Sequence, residues 1–106
     1  MSSSILDRIF ATILSRKTAD PAKSHTAALF AKGHGAVARK VGEEATETVV
    51  AAMEGNRAAT VSESADLLFH LMVLWADHGI TPADVFAELE RREGTSGVAE
   101  KASRPR

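Results

Sequence analysis

Cysteine and tyrosine are absent from the 106 residues, and tryptophan occurs once. Without cysteine there is no disulfide, no thiolate metal ligand and no cysteine nucleophile, which fits a reducing cytoplasm. No charge of one sign dominates. The 13 Lys and Arg against 14 Asp and Glu leave a net charge of -1, so nothing suggests a general affinity for nucleic acid. Long hydrophobic runs are missing as well: the one at 67–76 is about half of the roughly 20 residues needed to cross a bilayer. The start, Met-Ser-Ser-Ser-Ile-Leu-Asp-Arg, lacks the basic stretch and apolar core of a signal peptide. Apolar alternation is absent and alanine is commoner than any β-branched or aromatic residue type, so no strand is expected. These absences leave a soluble, cytoplasmic, single-domain, all-α protein.

What is present is helical periodicity. Ile5, Ile9, Phe10 and Ile13 give residues 4–16 one apolar face. Asp20-Pro21 interrupts the helix, Ser24 or Thr26 can cap the next turn, and a short helix over 26–32 stops at Gly33. A third helix is expected over 34–54, stopped by Gly55, with Asn56 as cap of a fourth over 57–78. Thr81-Pro82 opens a fifth that ends near Arg92. Residues 94–106, rich in Gly, Ser and Ala, read as a mobile tail behind a helical domain of residues 1–93. The fourth helix is apolar nearly all round, more than five short helices can cover. The expected architecture is therefore an antiparallel helical bundle completed by homodimerisation.

The third and fourth helices also carry the chemistry. Glu44 and Glu47 form one i, i+3 pair, Glu63 and Asp66 another, so each pair shares a helix face one turn apart. Asp66 runs directly into Leu67-Leu68-Phe69, which places its helix in the core, where unpartnered carboxylates are costly. Four inward acids call for a counter-charge, and oxygen donors without cysteine favour magnesium or manganese over zinc. Magnesium is usually shared with substrate phosphates, so the implied substrate is a polyphosphate. The Glu-x-x-His pairs of di-iron bundles are missing, since His70 lies four residues after Asp66. His70 reads as a core or supporting histidine hydrogen-bonded to a carboxylate. Lys40 shares the acidic stripe and can neutralise phosphate oxygens; Lys32 is a weaker candidate for the same work. Glu43 stands about 100° round the helix from Glu44, either a base at the edge of the site or a solvated acid. Trp75 and Phe69 read as core or dimer interface, and His25 and His34 as solvated.

Four segments carry a resemblance: Ser24 to Gly33, Arg39-Lys-Val-Gly-Glu-Glu-Ala-Thr-Glu47, Glu63-Ser-Ala-Asp-Leu-Leu-Phe-His-Leu71 and Phe86 to Arg92. Together they resemble the phosphoribosyl-ATP pyrophosphatase family of histidine biosynthesis, within the MazG-like all-α nucleoside triphosphate pyrophosphohydrolases. The resemblance implies hydrolysis of 1-(5-phosphoribosyl)-ATP to 1-(5-phosphoribosyl)-AMP and pyrophosphate, with magnesium held by Glu44, Glu47, Glu63 and Asp66. It implies phosphate contacts from Lys32 and Lys40, and a nucleotide pocket lined by Ser24 to Thr26. A water oriented in the metal's field would be deprotonated by Glu43 or Glu47 for in-line attack. Two positions where the family often has tyrosine hold His25 and Phe69, and Ser64 stands where alanine is usual. A cyclohydrolase domain, sometimes fused in this family, is not seen, so the next pathway step is expected from another protein. Two other readings use the same acids: a housecleaning pyrophosphohydrolase of noncanonical nucleoside triphosphates, and a non-enzymatic dimerisation module with structural magnesium.

Overall fold

A computed structural model describes residues 4–105; residues 1–3 and 106, assigned above to the start of the helical domain and the end of the tail, lie outside the described residues. The helices are α1 (Ile5–Arg16), α2 (His25–Lys32), α3 (His34–Met53), α4 (Arg57–Asp77), α5 (Pro82–Arg92) and α6 (Gly97–Ser103), with no strand among the described residues. Local chemistry sets most boundaries. Ser4 and Asp7 close a capping box on α1, as Thr81 and Asp84 do on α5 behind Pro82. Ser24 caps α2 and Asn56 caps α4, each accepting from the backbone N–H three residues on. Gly33 alone separates α2 from α3. Its φ of 98° and ψ of 176° lie in a region that side chains avoid, so the sharp turn there needs glycine.

The centre of the fold is the α3–α4 hairpin, whose helices share the most extensive packing in the molecule; α1 packs on α4 and α2 on α3. Phe10, Ile13, Val37, Met72, Val73 and Ala76 form the core, flanked by the half-buried Phe30, Phe69 and Trp75. Full burial of Ile13, Val37, Met72 or Val73 contributes about 1.5–3 kcal/mol apiece. This core is small. The radius of gyration is 15.8 Å, against the roughly 13 Å of a compact chain of this length. Val49, Val50, Met53, Val61 and Leu68 remain exposed on α3 and α4, so the all-round burial expected of α4 is not met within one chain.

The segment after residue 93, expected above as a tail, carries a short helix. Ser96 caps α6, and the Glu100 side chain folds back, buried, against α5. There Arg91 donates to it at 2.9 Å, while Arg104, the C-cap of α6, donates at 2.8 Å. The tail has almost no apolar content, so hydrophobic periodicity could not reveal a helix held by ion pairs.

Candidate metal centre

The α3–α4 packing brings acids from the two helices together. Carboxylate oxygens of Glu44, Glu63 and Asp66 lie within 4.8 Å of one another. Glu44 is 5 % exposed, Glu63 half-buried and Asp66 exposed. Glu44 Oε2 meets the Lys40 ammonium at 3.3 Å, one turn back on α3. Glu44 Oε1 and Glu63 Oε1 are buried with no hydrogen-bond partner. Buried acceptors are normally satisfied, and leaving one bare costs roughly 1–3 kcal/mol or more. Two bare oxygens in one three-carboxylate cluster are what a divalent cation would satisfy, and hard oxygen donors suit a hard ion. The donor set therefore fits a metal.

Electrostatics points the same way. Desolvation raises the pKa of Glu63, and the charges of Glu47, Asp66 and Glu44 raise it further. Negative charge is in excess at this point of the fold, and Lys40 relieves only part of it. A hydrogen bond to Glu44, opposed by some desolvation and reinforced by the charges of Glu44, Glu43 and Glu47, holds the Lys40 ammonium above its ordinary value.

The other expected site residues are placed less uniformly. Glu47 is exposed and stands outside the three-oxygen cluster, but it lines the same hollow as Glu63. Of the four acids expected to face inward, Glu44 is buried and Glu63 half-buried, while Glu47 and Asp66 are exposed. Glu43 is solvent-facing, 3.8 Å from Lys40. Lys32 and Lys40 line a common hollow of about 150 Å³ with Arg39 and Glu43. Ser24 is engaged as the α2 cap and borders a different hollow with Lys23 and His25, and Thr26 is half-buried in the first turn of α2. The hydrogen bond of His70 goes to the backbone: its Nδ1 lies 2.8 Å from the Asp66 main-chain carbonyl, one turn back. A carbonyl only accepts, so Nδ1 carries the proton there.

Two residues were missed by the sequence reading. Arg39 joins the lysines, and its signal was present beside Lys40. Glu54, the C-cap of α3, lines the hollow of Glu47 and Glu63. It is spaced seven residues, two turns, from Glu47, which the i, i+3 search passed over.

A helical hairpin that brings carboxylates of both helices together, with Lys40 beside them, defines a class: an all-α protein with a carboxylate cluster that fits a divalent cation. The family follows from sequence comparison. Residues 6–93 match the family described as phosphoribosyl-ATP pyrophosphohydrolase. The chain is 59% identical over 104 residues to the phosphoribosyl-ATP pyrophosphatase of Azospirillum brasilense, covering 98% of this chain and 94% of that one. It is 61% identical over 101 residues to the protein of the same name from Rhizorhabdus wittichii, covering 95% of each. With that of Rhodospirillum rubrum it shares 57% over 100 residues, 94% of this chain and 86% of the other. The chain belongs to the phosphoribosyl-ATP pyrophosphohydrolase family.

Proposed function

We propose that the chain hydrolyses 1-(5-phosphoribosyl)-ATP to 1-(5-phosphoribosyl)-AMP and pyrophosphate, the second step of histidine biosynthesis, in the cytoplasm, as a magnesium-dependent homodimer. The observation that carries this reading is the pair of bare buried oxygens, Glu44 Oε1 and Glu63 Oε1, in the carboxylate cluster of a chain from this family. Glu44, Glu63 and Asp66 would hold the ion. When bound, a divalent cation neutralises phosphate charge and favours attack of water on the anhydride.

The protein's own groups do the rest. Lys32, Arg39 and Lys40 gather positive charge in one hollow next to the acids, suited to phosphate oxygens. Lys40, 3.3 Å from Glu44 Oε2, would be the ammonium nearest the acids for a phosphate oxygen. Glu47, with no hydrogen bond or ion pair of its own among the described residues, faces Glu63 across their hollow and takes the proton from the attacking water; Glu43, already near Lys40, is the second candidate. Attack breaks the bond between the α and β phosphates, and pyrophosphate leaves. Glu47→Gln separates a base from a fourth ligand: a base lowers turnover at unchanged metal affinity, whereas a ligand lowers both.

Dimerisation is supported by what one chain leaves undone. The hollows beside the acids hold about 150 and 240 Å³, below the roughly 300–1,000 Å³ of ligand pockets. A roomier hollow of about 530 Å³ lies at the α3–α4 turn, lined by Ala52, Arg57 and Val61 without a carboxylate, and belongs to the exposed apolar face. A second copy covering Val49, Met53 and Val61 would bury that face and enlarge the substrate pocket. Val61→Asp is expected to yield monomer by sedimentation with at least a roughly tenfold loss of turnover, one decade per 1.36 kcal/mol. An active monomer would sink the dimer.

The activity is tested by product analysis on phosphoribosyl-ATP and ATP side by side, with and without magnesium, with Glu44→Gln as control. Magnesium-dependent release of pyrophosphate and phosphoribosyl-AMP from the first substrate alone is expected. Turnover of ATP, or of neither, would overturn the assignment.

A further inference from the structure

A second cluster of metal-ligating side chains lies at the other end of the α3–α4 hairpin, and nothing in the proposed reaction uses it. His34 is the first residue of α3, Asp77 the last of α4, and His78 the residue that caps α4. One ligand atom from each lies within 4.8 Å of the other two. The Asp77 carboxylate is only 9 % exposed and is shared: its Oδ2 meets His34 Nδ1 in a short contact and lies 3.9 Å from His78 Nε2. The two imidazoles stack at a centroid distance of 5.2 Å and an interplanar angle of 27°.

We propose that His34, Asp77 and His78 form a second metal site, selective for a borderline first-row cation of the zinc type rather than for magnesium. Two imidazole nitrogens and one carboxylate are a donor set that zinc accepts, with a fourth position left to water. Zinc bonds of about 2.0–2.2 Å put tetrahedral ligand atoms roughly 3–4 Å apart, a spacing this cluster reaches with small side-chain rotations. Magnesium prefers oxygen, and only one residue here offers it. The end of α4 also attracts cations by its own dipole, since Lys17 Nζ already donates to the Ala76 carbonyl at 3.1 Å. His34 and His78 side chains are 73 % and 47 % exposed, which leaves an approach for the ion from solvent. Bound metal would clamp the start of α3, directly behind the Gly33 turn, to the end of α4.

The proposal is tested on the full chain, stripped of metal and then saturated with magnesium, by titration with zinc and, for its visible spectrum, with cobalt. One equivalent is expected to bind with a tetrahedral cobalt spectrum and to raise the Tm. His34→Ala and His78→Ala should each weaken that binding by at least the roughly tenfold that disturbing a metal's supporting shell causes, with Asp77→Asn as an independent variant should either fail to fold. Glu44→Gln, His25→Ala and His70→Ala should leave it intact, which separates this site from the carboxylate centre and the other histidines. Unchanged zinc affinity in His34→Ala and His78→Ala, or no binding in the presence of magnesium, overturns it, whatever the outcome of the pyrophosphate assay.

Discussion

Two acidic clusters in this chain have opposite fates. On α3 and α4, Glu44, Glu63 and Asp66 converge with one lysine among them and two buried oxygens bare. On α5 and α6, Glu88 and Glu100 converge with Arg91, Arg92 and Arg104, and every arginine is spent on them. Arg91 meets Glu88 through two donors, at 3.1 and 2.6 Å, the fork geometry that makes such pairs strong. A satisfied cluster fastens structure. An unsatisfied one is held at a cost that only a function repays, and the missing partner names the ligand.

The largest effect should come from breaking the unsatisfied cluster. Glu44→Gln keeps the volume and removes the charge, so turnover should fall by more than about a hundredfold, the loss typical of removing one preorganised electrostatic group. The fold should survive, as judged by circular dichroism and a Tm no lower than that of the metal-free parent. Concerted loss of fold and activity would make the centre structural. Next in size, Glu63→Gln should raise the Tm of metal-free protein, because it removes a carboxylate whose charged form is disfavoured by burial and by Glu47, Asp66 and Glu44. Magnesium should stabilise the parent by mass action and do so far less in this variant. A metal-free Tm below the parent's would mean that the acids are better satisfied than their geometry indicates.

The satisfied cluster should behave in reverse. Glu100→Ala leaves Arg91 and Arg104 without their shared partner, so α6 should detach. The signs would be new proteolytic cleavage near Thr95 and a small loss of helicity. Turnover should stay within about twofold, since no residue of α6 lines the hollows beside the carboxylate cluster. A large loss of activity would show that α6 reaches the metal centre.

That contrast also explains what could be read in advance. The five longer helices were legible because their signals are local: caps at Ser24, Asn56 and Thr81, stops at Gly33 and Gly55, and apolar periodicity. The three acids that converge were legible in part, because Glu63 and Asp66 sit at i, i+3 and Glu44 lies on the neighbouring helix of the same hairpin. Which acids face in was not, because the depth of Glu44 against that of Glu47 depends on how α3 is rotated against α4. Nor was α6, whose hold on α5 rests on Glu100 finding two arginines nine and eight residues before it. His34, Asp77 and His78 escaped for a related reason, since 43 residues separate His34 from Asp77 and only the closed hairpin joins them.

Acidification offers the mildest test, and it moves the two clusters in opposite directions. Glu88 is held down to about 2 by its hydrogen bonds to Arg91 and Arg92, and Glu100 is lowered chiefly by Arg104. A depressed carboxylate stabilises the folded state above its ordinary pKa and loses that contribution as pH falls through the depressed value. Docking of α6, which rests on Glu100, should therefore persist below the ordinary carboxylate value and fail only as pH falls through the depressed value of Glu100. Glu63 has a raised pKa, so the folded state holds its proton more tightly than the unfolded chain does. Its repulsion burdens the metal-free fold once pH rises past the raised value, and is relieved as pH falls back through it. Metal-free protein brought from neutral pH to just above pH 4 should thus lose strain at the metal centre while α6 stays docked, and magnesium should stabilise it less there than at neutral pH because protons compete for the carboxylates. Thermal unfolding across this range, with limited proteolysis at the 93–96 turn as the probe of α6, reads both clusters in one series. Release of α6 at pH 4.5, or an undiminished magnesium effect there, would mean that the two clusters do not differ as their partners indicate.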